Sequence, residues 1–147
     1  NLSEREAPDS VYGGYTLQFA GANNPLYIIR KNLTGFWNLS GLEEIKGDKM
    51  PIGIYYGEQK SFTNHNIELK KGDSIYIFSD GFADQFGGLK GKKFKYSKLK
   101  ELILSVQDNN MEEQKLILNT TIEEWKNQSN DVCYEQMDDI CMIGMRV

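Results

Sequence analysis

The hydrophobic pattern of the first half of the chain has a period of two, which is typical of β-strands. Apolar and polar residues alternate from Leu17 to Ala20, and the run from Leu26 to Ile29 is apolar throughout, so both predict strands. The five residues between them, GANNP, are turn formers, and we expect a hairpin there. The ranges 52–56 and 62–69 predict two more strands.

The pattern changes to a helical period in the second half. Residues 74–79, SIYIFS, first form an apolar and β-prone run, which predicts a central strand covered on both faces. Helical spacing then relates Leu99, Leu102, Ile103 and Val106, and again Leu118, Ile122 and Trp125. Asn110 and Glu113 match a capping box at the start of the second helix. The run 140–147 predicts a last buried strand, and the whole order predicts an α+β layered domain.

The chain suits one domain with one hydrophobic core. It has 147 residues, of which 39% are apolar. Residues 1–16 contain Pro8 and Gly13–Gly14 without a sustained period, so we expect an irregular leader before a domain spanning 17–147. There is no apolar run near the ~20 residues that cross a bilayer and no secretory signal, which predicts a soluble, cytoplasmic protein.

Charge and composition exclude several kinds of function. The net charge is −4 and the pI is about 5.1, which argues against a nucleic-acid-binding protein. With only Cys133, Cys141 and His65 as soft or nitrogen ligands, a zinc site is not expected. A single histidine also suits a Ser-His-Asp hydrolase poorly. We expect both cysteines to be ordinary thiols in a reducing compartment.

Candidate chemistry lies in two acidic segments that are far apart in sequence. Asp80 follows the predicted central strand, and Gly81 after it lets the backbone turn sharply. Asp138 and Asp139 stand immediately before the last predicted strand. If these two strands are antiparallel neighbours, the end of one lies beside the start of the other. We therefore expect Asp80 and Asp138 to converge at one edge of a sheet.

Two interpretations of these carboxylates remain open from spacing alone. Converging carboxylates repel one another unless they are protonated or bridged by a cation. Mg²⁺ and Mn²⁺ suit such all-oxygen sites, where they activate water and clamp a phosphoryl group without a histidine or cysteine nucleophile. The alternative is structural, because Asp-Gly commonly forms a turn and Asp-Asp before a strand is commonly a solvated cap.

Four segments of the chain, taken together, resemble one family. They are FAGANNPLYIIR (19–30), KMPIGI (49–54), IYIFSDGFADQFGG (75–88) and MDDICMIG (137–144). In order and spacing they resemble the later portion of SpoIIE-like serine/threonine phosphatases of the PPM superfamily, over roughly residues 17–147. The resemblance implies part of an α-β-β-α sandwich with antiparallel sheets. It also implies a binuclear Mn²⁺ or Mg²⁺ centre that dephosphorylates phosphoserine or phosphothreonine on proteins.

By this resemblance, Asp80 and Asp138 are catalytic metal ligands, Asp139 supports them as a further metal-site residue, and Gly81 permits the turn. No segment before Leu17 resembles the family's N-terminal metal motif. The chain is thus expected to be inactive alone, as a piece of a longer bacterial signalling phosphatase or as an inactive phosphatase-like interaction module. The resemblance also implies a phosphoprotein substrate such as an anti-sigma-factor antagonist, and upstream sensor domains. A truncated domain would expose a sheet edge, which predicts a dimer.

Overall fold

Two sheets and a layer of helices make up the fold of this computed structural model, which describes residues 2–4, 14–31, 41–57, 60–128 and 133–147. The strands are β1 (Leu2–Glu4), β2 (Tyr15–Phe19), β3 (Leu26–Ile29), β4 (Leu42–Ile45), β5 (His65–Leu69), β6 (Ser74–Phe78), β7 (Phe86–Gly87), β8 (Lys92–Lys93) and β9 (Met142–Arg146). The helices are α1 (Gly81–Asp84), α2 (Tyr96–Ser105) and α3 (Met111–Asn127).

The strands form two main antiparallel sheets. One has the order β1-β2-β5 and the other β4-β3-β6-β9, while β7 and β8 form a small separate ribbon. Strand β6 lies inside the larger sheet, as its apolar sequence predicted. None of the helices described is long and apolar enough to cross a membrane.

The larger sheet is covered on both faces because its strands carry apolar side chains on both sides. One face packs against the smaller sheet through a buried cluster comprising Leu17, Leu26, Ile28, Ile67, Leu69 and Ile75. The other face packs against the helices through Tyr27, Ile29, Tyr76 and Phe78 with Leu99, Ile103, Leu118 and Ile122. The α+β prediction is confirmed, with a sheet-sheet-helix stack of three layers.

The predicted hairpin between residues 17–20 and 26–29 is wrong. Strand β2 pairs with β1 and β5, whereas β3 pairs with β4 and β6, so the two strands belong to different sheets. The turn residues between them cross from one sheet to the other. They are fixed to Asp48, whose carbonyl accepts from Asn23 N at 2.7 Å and whose amide donates to Gly21 O at 2.9 Å. The turn formers were recognised, but strand partners are a non-local property.

Three other predictions are corrected. Residues 52–56 form no strand, and Ile52 and Ile54 are 85% and 87% exposed, beside Gly53 at φ 130°. Among the described strands the last one lies at a sheet edge, and its residues are half-buried or exposed rather than buried. The irregular leader is wrong for Leu2–Glu4, which forms β1, and for Tyr15 and Thr16 in β2. Residues 5–13 of that leader lie outside the described residues, and the domain boundary at 17 stays a prediction.

The predicted capping box is confirmed and gives a modest stability test. Asn110 Oδ1 accepts from Glu113 N at 2.9 Å, and Glu113 Oε2 accepts from Asn110 N at 3.0 Å. We expect Asn110→Ala to lower the free energy of unfolding by about 1 kcal/mol, because a helix N-terminal amide loses its acceptor. The same change at the exposed position Asn119, inside α3, should leave stability equal or slightly higher, since alanine favours helix interiors. Urea unfolding of both variants measures the contrast.

Candidate metal centre

The two acidic segments meet at one end of the larger sheet. Strands β6 and β9 are antiparallel neighbours, with Phe78 opposite Met142. Asp80 follows β6 by two residues, and Asp138 and Asp139 precede β9, so the register brings both segments to the same sheet end. The structure therefore has both acidic segments at the same sheet end, which is the arrangement that the sequence analysis expected from an antiparallel pair.

A serine hydroxyl fastens the two segments together. Ser79 Oγ donates to Asp139 O at 2.7 Å and accepts from Cys141 N at 3.0 Å. The amide of Ser79 also donates to Cys141 O at 3.0 Å. The residue beside Asp80 thus holds the residues on either side of Ile140, and it extends the β6–β9 ladder to the acidic residues. The sequence analysis did not predict this role of Ser79. The only indication was a hydroxyl residue directly before Asp-Gly.

The glycine after Asp80 allows a very close backbone approach. A Cβ at Gly81 would lie 2.4 Å from Asp139 O, 2.9 Å from Asp139 C and 3.3 Å from Asp138 O. Each of these distances is shorter than ordinary van der Waals contact, and the atoms belong to backbone that cannot rotate away. The predicted turn residue therefore also keeps the Asp80 turn pressed against the Asp138–Asp139 backbone.

Nearby carboxylates differ in whether a lysine neutralises them. Asp84 pairs with Lys93 at 3.0 Å, and Glu44 pairs with Lys100 at 2.7 Å. In contrast, Asp80, Asp138 and Asp139 have no ion-pair partner in the described part of the chain. All three are exposed, and the Asp80 side chain does not cap α1. Among the described residues, negative charge thus has no counter-ion where the two segments meet.

This negative charge contributes to the raised pKa of a tyrosine on α2. The pKa of the Tyr96 phenol is raised, first by burial and then by the charge of Asp80. Asp84 and Glu44 add smaller effects in the same direction. Because the pKa of the Tyr96 phenol is raised above an already high ordinary value, the hydroxyl is neutral at physiological pH and can donate a hydrogen bond. Its position at the start of a helix gave no signal of this proximity in the sequence.

The donor chemistry fits a hard divalent cation, but the number of protein ligands is small. Carboxylate oxygens are the preferred ligands of Mg²⁺ and Mn²⁺, and Mg²⁺ commonly keeps several waters while one or two carboxylates hold it. Among the described residues, no three Asp, Glu, His or Cys side chains come close enough to hold an ion. The Asp80 and Asp138 segments can thus contribute ligands to a centre without forming a complete cage.

A separate cleft of about 770 Å³ has a structural explanation. Its lining includes Arg30, Lys31, His65 and Asp73 but none of the three candidate aspartates. Asp73 is 2% exposed, and its carboxylate accepts from Arg30 Nη1 at 2.9 Å, Lys70 N at 2.9 Å and Lys31 N at 3.1 Å. These bonds satisfy a buried charge at the turn before β6, so the Asp73 carboxylate has a structural role.

Comparison with solved structures places the fold among PP2C phosphatase domains. The SiaA-PP2C domain of Pseudomonas aeruginosa is 25% identical with a TM-score of 0.71, and the match covers 92% of this chain and 51% of that one. The PP2C phosphatase domain of SpoIIE from Bacillus subtilis, solved with a fragment of its regulatory domain, is 18% identical with a TM-score of 0.61, covering 91% and 34%. The SpoIIE phosphatase domain presoaked with Mn is 14% identical with a TM-score of 0.55, covering 99% and 56%.

The chain accordingly spans about half or less of the length of these structures. No curated relative matches it significantly. The family model described as stage II sporulation protein E (SpoIIE) matches residues 12–147, which is most of the chain. The family model and the fold agree with each other, and the chain belongs to the SpoIIE family of PP2C-type phosphatases.

Proposed function

We propose that this chain is part of a metal-dependent phosphatase that removes phosphate from phosphoserine or phosphothreonine on a regulatory protein. The ion is Mn²⁺ or Mg²⁺, and Asp80 and Asp138 are its ligands, with Asp139 in support. The observation that carries the proposal is the convergence of these segments without a counter-ion in the part of the chain that the structure describes. Membership of the family supplies the reaction class.

The residues of the chain have separate tasks in this proposal. The β6–β9 ladder and the Ser79 hydroxyl set the spacing between the two acidic segments. Gly81 permits the close backbone contact. Tyr96 keeps its proton because the pKa of its phenol is raised, and in this proposal it donates a hydrogen bond to a phosphoryl oxygen.

A bound divalent ion supplies a water of lowered pKa and neutralises charge on the phosphoryl group. The described residues do not bring three ligating side chains together, and in this proposal the further ligands of the centre come from outside them. We assign those ligands to the remainder of a phosphatase domain, because the chain covers 51% of the SiaA domain. Turnover therefore belongs to the longer protein in this proposal.

The wider setting follows from the same proposal. An anti-sigma-factor antagonist is a suitable substrate, and sensor domains upstream would regulate the enzyme in the cytoplasm. A dimer is proposed as well. Ile77 and Ile143, paired across β6 and β9, are 44% and 58% exposed and present an apolar surface for a second copy or for the rest of the domain.

One observation favours a second candidate, a phosphatase-like interaction module without catalysis. The described residues contain no group of three ligating side chains. If the full-length protein does not bind Mn²⁺ or Mg²⁺ in calorimetry, this candidate gains and the enzyme loses.

Paramagnetic NMR tests whether the chain contributes to an ion site. We expect Mn²⁺ to broaden the backbone amide signals of Asp80, Gly81 and Asp139 before those of His65, which lies on the other sheet. Added Mg²⁺ should compete and restore the signals. Broadening that is uniform over all exposed acidic residues, or absent at Asp80, would contradict the proposed site.

A further inference from the structure

The segment that carries Asp138 has little regular structure of its own. Residues 133–141 form neither helix nor strand, and Glu135 through Asp139 are exposed. At its start, Tyr134 N donates to Lys126 O at 3.0 Å, and at its end Ser79 Oγ accepts from Cys141 N at 3.0 Å. Between these ends the Ser79 hydroxyl also donates to Asp139 O at 2.7 Å, which leaves the path of residues 135–137 to be fixed by another contact.

A buried glutamine makes that connection. Gln85 is 1% exposed, and its Nε2 donates to Glu135 O at 2.9 Å and to Phe86 O at 3.0 Å. Both amide protons are thus used. The bond to Glu135 spans 50 residues and ends three residues before Asp138.

The same glutamine is coupled rigidly to Asp80. Asp80 is the N-cap and Gln85 the C-cap of α1, a single turn whose residues Gly81, Phe82 and Ala83 are buried. The backbone carbonyl of Gln85 accepts from Phe94 N at 2.9 Å and from Trp125 Nε1 at 3.2 Å. Gln85 therefore stands at a fixed distance from Asp80 and reaches across to the Asp138 segment.

Retaining this amide has an energetic cost. Gln85 Oε1 is buried and has no hydrogen-bond partner, and Gln107 Oε1 is the other such side-chain atom among the described residues. An unpaired buried acceptor is unfavourable, and an apolar side chain of similar shape would avoid that penalty. Gln107 donates to Tyr76 Oη at 2.7 Å within the core beneath the helices, so it has no contact with the acidic segments.

We propose that Gln85 is a positioning residue that holds the Asp138 segment in register with Asp80. The amide bond to Glu135 and the Ser79 bonds fasten the segment at two separate points. Loss of an interaction that orients metal ligands commonly weakens metal binding by about 10- to 100-fold. The effect on ion binding rests on the proposed function, whereas the effect on the segment does not.

The matched pair Gln85→Met and Gln107→Met tests this positioning in the 147-residue chain. Each change removes one buried amide with an unpaired oxygen and keeps an unbranched side chain. We expect exchange of the hydrogen-bonded amides of Tyr134 and Cys141, at the two ends of the segment, to become about 10-fold faster or more in Gln85→Met and to stay unchanged in Gln107→Met. Unchanged exchange in Gln85→Met overturns the proposal, and so does an equal increase in both variants.

Mn²⁺ titration of the same samples separates the two proposals. A higher apparent Kd in Gln85→Met alone supports positioning of the ligands. If wild-type protein shows no Mn²⁺ response, the proposed ion site fails, while the exchange data still decide the role of Gln85. Should Gln85→Met not fold, the wild-type protein decides: slow solvent exchange of the Gln85 Nε2 protons supports the bond to Glu135, and fast exchange overturns it.

Discussion

Replacing Asp80 with asparagine should abolish phosphatase activity in a version of the protein that carries the rest of the domain. A bound ion contributes several kcal/mol of transition-state stabilisation, so we expect at least about a 100-fold loss of kcat. The change preserves the shape of the side chain but removes the charge that holds the ion. Hydrolysis of an aryl phosphate in the presence of Mn²⁺ measures the loss.

Asp84→Asn is the matched control for this prediction. It lies four residues from Asp80 at the other end of α1, and its carboxylate is paired with Lys93 at 3.0 Å. Both partners are about half exposed, so we expect the change to alter stability by less than about 1 kcal/mol. Activity should stay near that of the wild type. If the longer protein keeps its turnover after Asp80→Asn, the assignment of Asp80 as a metal ligand is wrong. If neither the chain nor the longer protein shows turnover, the enzyme proposal fails.

Gly81→Ala should damage the fold and the site together. The added Cβ would lie 2.4 Å from Asp139 O, so either the α1 turn or the Asp138–Asp139 segment must move. Overpacking of this kind costs about 1–3 kcal/mol. Urea unfolding should show a lower midpoint, and Mn²⁺ binding should weaken because the two acidic segments are forced apart.

The same substitution at Gly14 separates crowding from the general effect of losing a glycine. A Cβ there meets no atom within 4 Å. We expect Gly14→Ala to leave stability equal or slightly higher, because alanine restricts the unfolded chain. Equal unfolding midpoints for the two variants would show that the Asp80 turn tolerates more separation from Asp139 than the structure indicates.

Local signals in the sequence were sufficient for the interior strands and the helices. The apolar run of β6, the helical spacing around Leu99 and Leu118, and the Asn110 capping box depend on neighbours in sequence, and all are present in the fold. The adjacency of Asp80 and Asp138 was also predictable, because it needed only one antiparallel pair of strands. Whether these carboxylates hold an ion stays a prediction.

Features that depend on distant partners could not be derived in this way. The 17–20 and 26–29 strands have the sequence of a hairpin, but burial of Leu17 against Leu26 requires them to lie in two facing sheets. Residues 52–56 have strand-like composition but no partner strand among the described residues. The Ser79 and Gln85 contacts join residues 60 and 50 positions apart.

The edge position of β9 makes the sheet end with Asp138 and Asp139 easier to open than the core. In the described part of the chain, β9 is bonded along one side only, to β6, and Asp138 and Asp139 precede it with two residues between. Edge strands open locally at a lower free energy than the whole domain unfolds. Fraying from this end would carry both carboxylates away from Asp80 while the Leu99 and Leu118 core stays intact. Mild denaturant or modest warming should therefore weaken Mn²⁺ binding at the proposed site before the whole domain unfolds.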